Sequence, residues 1–215
     1  MKQASKIIAV LILTILAGCA GKFEYTRPTS LPTLNNSVVI NKSKDEVWKQ
    51  IIPMLGKQFF VINNLDKDSG IINISYSGDP ERYVDCGRII SYVKNARGER
   101  TYDFPASKSY QDYEIMDMQG GAGLLFVSRK MSLEGRMNII VEDIGNNQSR
   151  VTTNTRYILT KTTTFRNVQG HSNTVTNTIS FNSGQEGISE GRGPNMICQA
   201  TGKLEDEVLS LLTGH

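Results

Sequence analysis

The segment 137–159, MNIIVEDIGNNQSRVTTNTRYIL, decides the fold. Met137, Ile139 and Val141 recur with a period of two, Gly145-Asn146-Asn147 supplies a turn, and Val151, Thr153, Thr155, Tyr157 and Leu159 resume the alternation. Successive side chains of a strand point to opposite faces, so the pattern predicts two antiparallel strands with one face buried. A third and a fourth strand are expected to flank the Gln169-Gly170-His171 turn. Threonine is dense from Thr152 to Thr178, which suits strands with a solvated face. A glycan-binding surface is the alternative reading of those hydroxyls.

Upstream, Val38, Val39 and Ile40 precede Ser43-Lys44-Asp45-Glu46, where Ser43 and Glu46 stand at capping-box spacing and predict a helix start. Val47, Trp48, Ile51, Ile52 and Leu55 form its apolar stripe. Trp48 lies on that stripe and reads as core packing, with ligand contact as the alternative. Pro53 lacks an amide hydrogen and crowds the preceding turn, so it should kink or shorten the helix near Lys49 to Ile52. Phe59 to Asn63, the turn Asp66-Lys67-Asp68-Ser69-Gly70, and Ile72, Ile74 and Tyr76 predict a hairpin or two neighbouring strands. A further strand is expected over Arg88 to Val93. A closing helix over Lys203 to Leu212 carries Leu204, Val208, Leu211 and Leu212 on one face, with Glu205, Asp206 and Glu207 near its start, where the helix dipole favours acids. The order implies a single α+β domain over residues 37–215, a mainly antiparallel sheet with helices packed on one face.

The N-terminus specifies location. Lys2 and Lys6 precede the apolar run Ile7 to Leu16, followed by Leu16-Ala17-Gly18-Cys19. Charge, a short hydrophobic stretch and small residues before a cysteine resemble a bacterial lipoprotein signal. Residues 1–18 would be removed, and Cys19 would become the lipidated first residue. Two or more acyl chains suffice for stable membrane attachment. Ala20, rather than aspartate, after the cysteine implies outer-membrane sorting of the enterobacterial type, with the domain facing the periplasm. Removal of Lys2 and Lys6 lowers the basic count from 24 to 22 against 21 acidic residues, so the mature charge is +1. Little basic bias remains to suggest a nucleic-acid partner. Residues 19–36 contain Pro28 and Pro32 and little periodicity, and read as a flexible tether of at most about 60 Å when fully extended.

In an oxidising periplasm the two remaining cysteines, Cys86 and Cys198, are expected to pair, with two separate buried thiols as the alternative. A bridge would close a loop of roughly 110 residues and contribute on the order of 4 to 5 kcal/mol. The only histidines are His171 and His215. No metal site, no cofactor and no Ser-His-Asp or Cys-His set can be proposed from such spacing. Glu114, Asp117, Glu142 and Asp143 cannot be placed across a cleft from sequence, and adjacent Glu142 and Asp143 point to opposite faces of a strand. The chain is therefore read as a non-enzyme.

The stretch Ser43-Lys44-Asp45-Glu46-Val47-Trp48, with Phe59-Phe60-Val61-Ile62 and Asp66-Lys67-Asp68-Ser69-Gly70-Ile71-Ile72, resembles the helix-grip domains of BamC-like outer-membrane lipoproteins, over about residues 38–76. The resemblance implies a helix-grip fold and an accessory role in the β-barrel assembly machinery. This chain departs from that family in having room for one such domain instead of two, and in the shortness of the segment before it.

Between Arg97 and Gly135 the pattern weakens. Tyr102, Phe104, Tyr110 and Tyr113 are scattered among charges, followed by Gly120-Gly121-Ala122-Gly123 and Leu124-Leu125-Phe126-Val127. Long loops in compact domains are often functional, so these four aromatics are the expected contact with a protein partner, packing beneath an irregular loop being the alternative. No Lys-Ser/Thr pair follows the glycines, which read as a flexible turn and not a phosphate loop. The functional expectation is an envelope-complex accessory or scaffold. The alternative is a module binding lipid or a small apolar ligand, in a cavity lined by Trp48, Ile72, Ile74 and Val141.

Overall fold

A computed structural model describes residues 20–29, 33–58, 60–117, 121, 123–189 and 195–213. The first half comprises β1 (Ala20–Thr26), β2 (Ser37–Ile40), α1 (Lys44–Gly56), β3 (Val61–Asp66), β4 (Ile71–Gly78), α2 (Pro80–Tyr83), β5 (Val84–Asp85), β6 (Arg88–Asn95) and β7 (Gly98–Pro105). The second half comprises β8 (Tyr110–Asp117), β9 (Gly123–Gly145), β10 (Gln148–Asn167), β11 (Ser172–Asn182), β12 (Glu186–Ser189), β13 (Met196–Ala200) and α3 (Lys203–Thr213).

The turn at Asn146 and Asn147 organises these elements. Both asparagines have positive φ, 51° and 55°, as a two-residue type I′ hairpin requires and as asparagine tolerates. The strands it joins, β9 and β10, pair antiparallel along nearly their whole length, with one register shift between Gln148 and Ser149. Every odd-numbered residue of β9 from Val127 to Val141 is buried, as is every odd-numbered residue of β10 from Ser149 to Leu159. The period of two thus gives one continuous buried face.

The ribbon is the spine of a seven-stranded sheet. β4 pairs with its Leu133–Ile140 half and β8 with its Gly123–Lys130 half, while β2 and β11 line the outer edge of β10. Two three-stranded sheets, β1-β6-β7 and β12-β13-β5, complete the topology. Strands make up 63% of the described residues and the three helices 15%. The expected α+β, helix-grip-like domain with helices layered over a sheet is therefore corrected to a largely all-β fold. The physical reason lies in residues 97–135, which form β7, β8 and the first part of β9 in place of a long loop. β7 buries only Phe104 and β8 mixes aromatics with carboxylates, so neither shows the apolar–polar contrast by which strands are read.

α1 and α3 occupy only one end of the buried face. Val47, Trp48, Ile51 and Leu55 join Ile72, Ile74, Ile139, Val141, Leu204 and Val208 in the core. Trp48, Ile72, Ile74 and Val141 are each at most 9% exposed. The capping box is present: Glu46 N–H donates to Ser43 Oγ at 3.4 Å and Ser43 N–H to Glu46 Oε2 at 2.9 Å. Pro53 sits inside α1 without ending it at Ile52. Pro53 and Lys49 both face solvent, where water can satisfy the carbonyl that the missing amide leaves free. The hairpin of β3 and β4 and the closing helix form where the sequence places them.

Within the segment read as a tether, Ala20 to Thr26 form a strand that pairs residue for residue with Lys94 to Arg88. The signal segment 1–18 and Cys19 itself lie outside the described residues.

Candidate functional site

Cys86 and Cys198 form a disulfide spanning 112 positions, and both are fully buried. Cys86 follows β5 and Cys198 lies within β13, whose Gln199 and Ala200 pair with Asp85 and Val84. The bridge therefore fastens a sheet contact that is only two residues long.

Three of the four aromatics read as a contact surface meet at one groove of about 420 Å³, lined by Tyr102, Tyr110, Asp112, Tyr113, Glu114, Phe126, Val127, Ser128, Thr164 and Arg166. Its floor is the solvent-side face of β8, β9 and β10, because Asp112 lies opposite Ser128 and Glu114 opposite Phe126. Tyr102 closes it from β7, where the Ser91 hydroxyl of neighbouring β6 donates to the Glu114 carbonyl at 2.5 Å. Tyr110 is 48% exposed, and its hydroxyl donates to Asp112 Oδ2 at 2.7 Å. The Arg166 guanidinium stands 5.1 Å from the Phe126 ring centre, a cation–π geometry. Arg100 pairs with Glu114 at 2.7 Å, which holds the guanidinium pKa above its usual value. Phe104 does not line the groove; it is buried behind it with its ring 5.1 Å from that of Tyr113.

The opposite face at the same end of the ribbon holds two cations. Arg129 is 2% exposed; its Nη2 donates to the Ala106 carbonyl and lies 3.4 Å from Met196 Sδ, and its Nη1 has no hydrogen-bond partner. Burial lowers its pKa to about 10, which leaves it charged at neutral pH. Lys161 donates to Ser189 Oγ at 3.1 Å. Burial, reinforced by the charge of Arg129, brings the Lys161 ammonium down to about 8. In sequence these residues were findable by parity: Arg129 continues the odd-numbered series of Met137, Ile139 and Val141, and Lys161 that of Tyr157 and Leu159.

A pH dependence follows. An unfolded lysine titrates near 10.4, so between about pH 8 and 10 the unfolded chain holds a proton the folded chain has released, and stability rises with pH across that window. Above about pH 10 tyrosines act oppositely, since burial raises the pKa of Tyr25 and Tyr113 while unfolded phenols ionise. Urea midpoints should increase from about pH 8 to 10 and then turn down. Lys161→Met should flatten the rise, and an unchanged slope would remove Lys161 as its source.

His171 lies exposed after the β10–β11 turn, with Nδ1 3.5 Å from Asn167 Nδ2; His215 and Gly120 lie outside the described residues. Among the described residues no group of three or more His, Cys, Asp or Glu side chains could hold a metal, and no helix is long and apolar enough to cross a membrane. The threonine face is partly self-satisfied, with Thr162 and Thr176 hydroxyls 3.2 Å apart and those of Thr164 and Thr174 2.8 Å apart. Comparison with known protein families, with curated proteins and with solved structures finds no match to this chain.

Proposed function

We propose that this chain is a bacterial outer-membrane lipoprotein, held by acyl chains on Cys19 and facing the periplasm, that acts as a non-enzymatic accessory subunit of an envelope complex. The groove of Tyr102, Tyr110, Tyr113 and Phe126 carries the reading. It offers aromatic surface of the kind that anchors protein interfaces, with Arg166, Asp112 and Glu114 at its margins to orient a partner segment. The disulfide supports an oxidising compartment, and the Leu16-Ala17-Gly18-Cys19 motif supports the anchor.

Native protein isolated from crosslinked, detergent-solubilised envelopes should carry a stoichiometric envelope protein. Tyr102→Ala combined with Tyr110→Ala should weaken that capture by about 2 kcal/mol, roughly thirtyfold, as loss of an interface anchor does. Tyr110 is half exposed, so its truncation leaves the fold intact. Undiminished capture would exclude the groove as the contact. A bound lipid without any protein partner would transfer the reading to the apolar-ligand module.

A further inference from the structure

The first residue after Cys19 is already fixed in the sheet. Ala20 pairs with Lys94 and Gly21 with Val93. A Cβ on Gly21 would stand 2.2 Å from Met116 Cβ, so the start of β1 lies against the end of β8 at a spacing only glycine permits. Met116 pairs with Leu124, and Leu125 with Asn167. One end of the ribbon therefore brings together the start of β1, the β6–β7 turn with exposed Arg97, and the β10–β11 turn, where Val168 is 59% exposed.

We propose that this tip is a membrane seat, the surface that rests against the phospholipid bilayer; the inference depends on the lipoprotein reading above. The argument is one of chain length. Consecutive Cα atoms are about 3.8 Å apart and paired strand residues about 5 Å, so lipid on Cys19 holds Ala20 and Lys94 within roughly 10 Å of the headgroups. No slack remains for the domain to swing away. Lys22 pairs with Glu24 and Lys94 with Glu99, so the acyl anchor outweighs the charge that exposed Arg97 brings to the tip; attachment should accordingly survive high salt. The opposite end is remote: Val39 pairs with Arg150, 17 positions along β10 from Asn167 and hence about 55 Å away at strand rise. The seat also sets the height of the groove, since Phe126 lies three residues from the tip at Gly123.

Full-length acylated protein reconstituted in phosphatidylethanolamine and phosphatidylglycerol vesicles tests this. The vesicles carry lipid brominated near the head of the acyl chains, which quenches nearby tryptophan. In Val168→Trp the added emission should fall by more than half, while the native protein, whose single tryptophan is Trp48, and Val39→Trp stay unquenched. A flexible Gly/Ser linker inserted between Cys19 and Ala20 should abolish the quenching of Val168→Trp. Equal quenching of both variants, or none in Val168→Trp although intact mass confirms acylation, would overturn the seat alone. An intact mass without acyl chains would remove the lipoprotein reading, and the seat with it.

Discussion

Replacing Cys86 and Cys198 together with alanine is expected to destabilise the protein by about 4 to 5 kcal/mol, the loop-closure value for a bridge spanning 112 positions. The effect should be large because little else fastens that part of the chain. β5 contributes two residues to its sheet, and β12 and β13 contribute four and five. Tyr25 adds a clamp, donating to the Ile197 carbonyl at 3.2 Å and accepting from the Ile197 amide at 2.8 Å. The double variant should therefore lose the β12-β13-β5 sheet before the β9–β10 ribbon. Urea unfolding of the oxidised, reduced and double-alanine proteins measures the cost. Agreement between the reduced and alanine forms assigns it to the covalent link; a cost below about 1 kcal/mol would show that the unfolded chain is already compact without the bridge.

The second large effect is expected at Glu205, a carboxylate with 0% exposure in the first turn of α3. It accepts from the Tyr157 hydroxyl at 2.9 and 2.7 Å and from Ser183 Oγ at 2.5 Å. Ser183 Oγ in turn accepts from the Thr155 amide at 2.8 Å. The network ties the closing helix to β10 across the core. Glu205→Ala would leave the buried Tyr157 hydroxyl without its acceptor and open a cavity, for a loss of about 3 kcal/mol, whereas the half-buried Ser183 hydroxyl keeps the Thr155 carbonyl at 3.1 Å. Tyr157→Phe removes one donor and should cost about 1 kcal/mol, and the double variant should cost less than the sum, as coupled partners do. Glu205→Gln, which retains an acceptor, should fall between native and alanine. Strict additivity in the cycle would mean that Glu205 and Tyr157 act separately.

Much of the fold was legible where one face is buried and the other wet. The odd-numbered series through Met137 to Val141 and Val151 to Leu159 predicts the spine, because a fixed parity is what a half-buried strand imposes on its sequence. The capping box of α1 and the apolar stripe of α3 were legible for the same reason at helical period. β1 and β7 were not. Ala20 to Thr26 is almost entirely exposed, and β7 buries chiefly Phe104, so their strand character comes from pairing with β6 and leaves almost no trace in side-chain polarity. That difference produced both the expected tether and the expected loop, and with them the overestimate of helix over sheet. Of the candidate site, Tyr102, Tyr110 and Tyr113 stood out by aromatic density. Phe126, Thr164 and Arg166 could not be joined to them, because only the registers of β8, β9 and β10 bring those positions together.

The reading of this chain as a membrane-held partner-binding protein is tested most directly by photocrosslinking in intact envelopes, with a photoreactive phenylalanine analogue in place of Tyr110. The account predicts a single covalent adduct with one envelope protein at near-stoichiometric yield, absent when the same analogue replaces Val39. Adducts with lipid alone, or the same adducts from both positions, would contradict it.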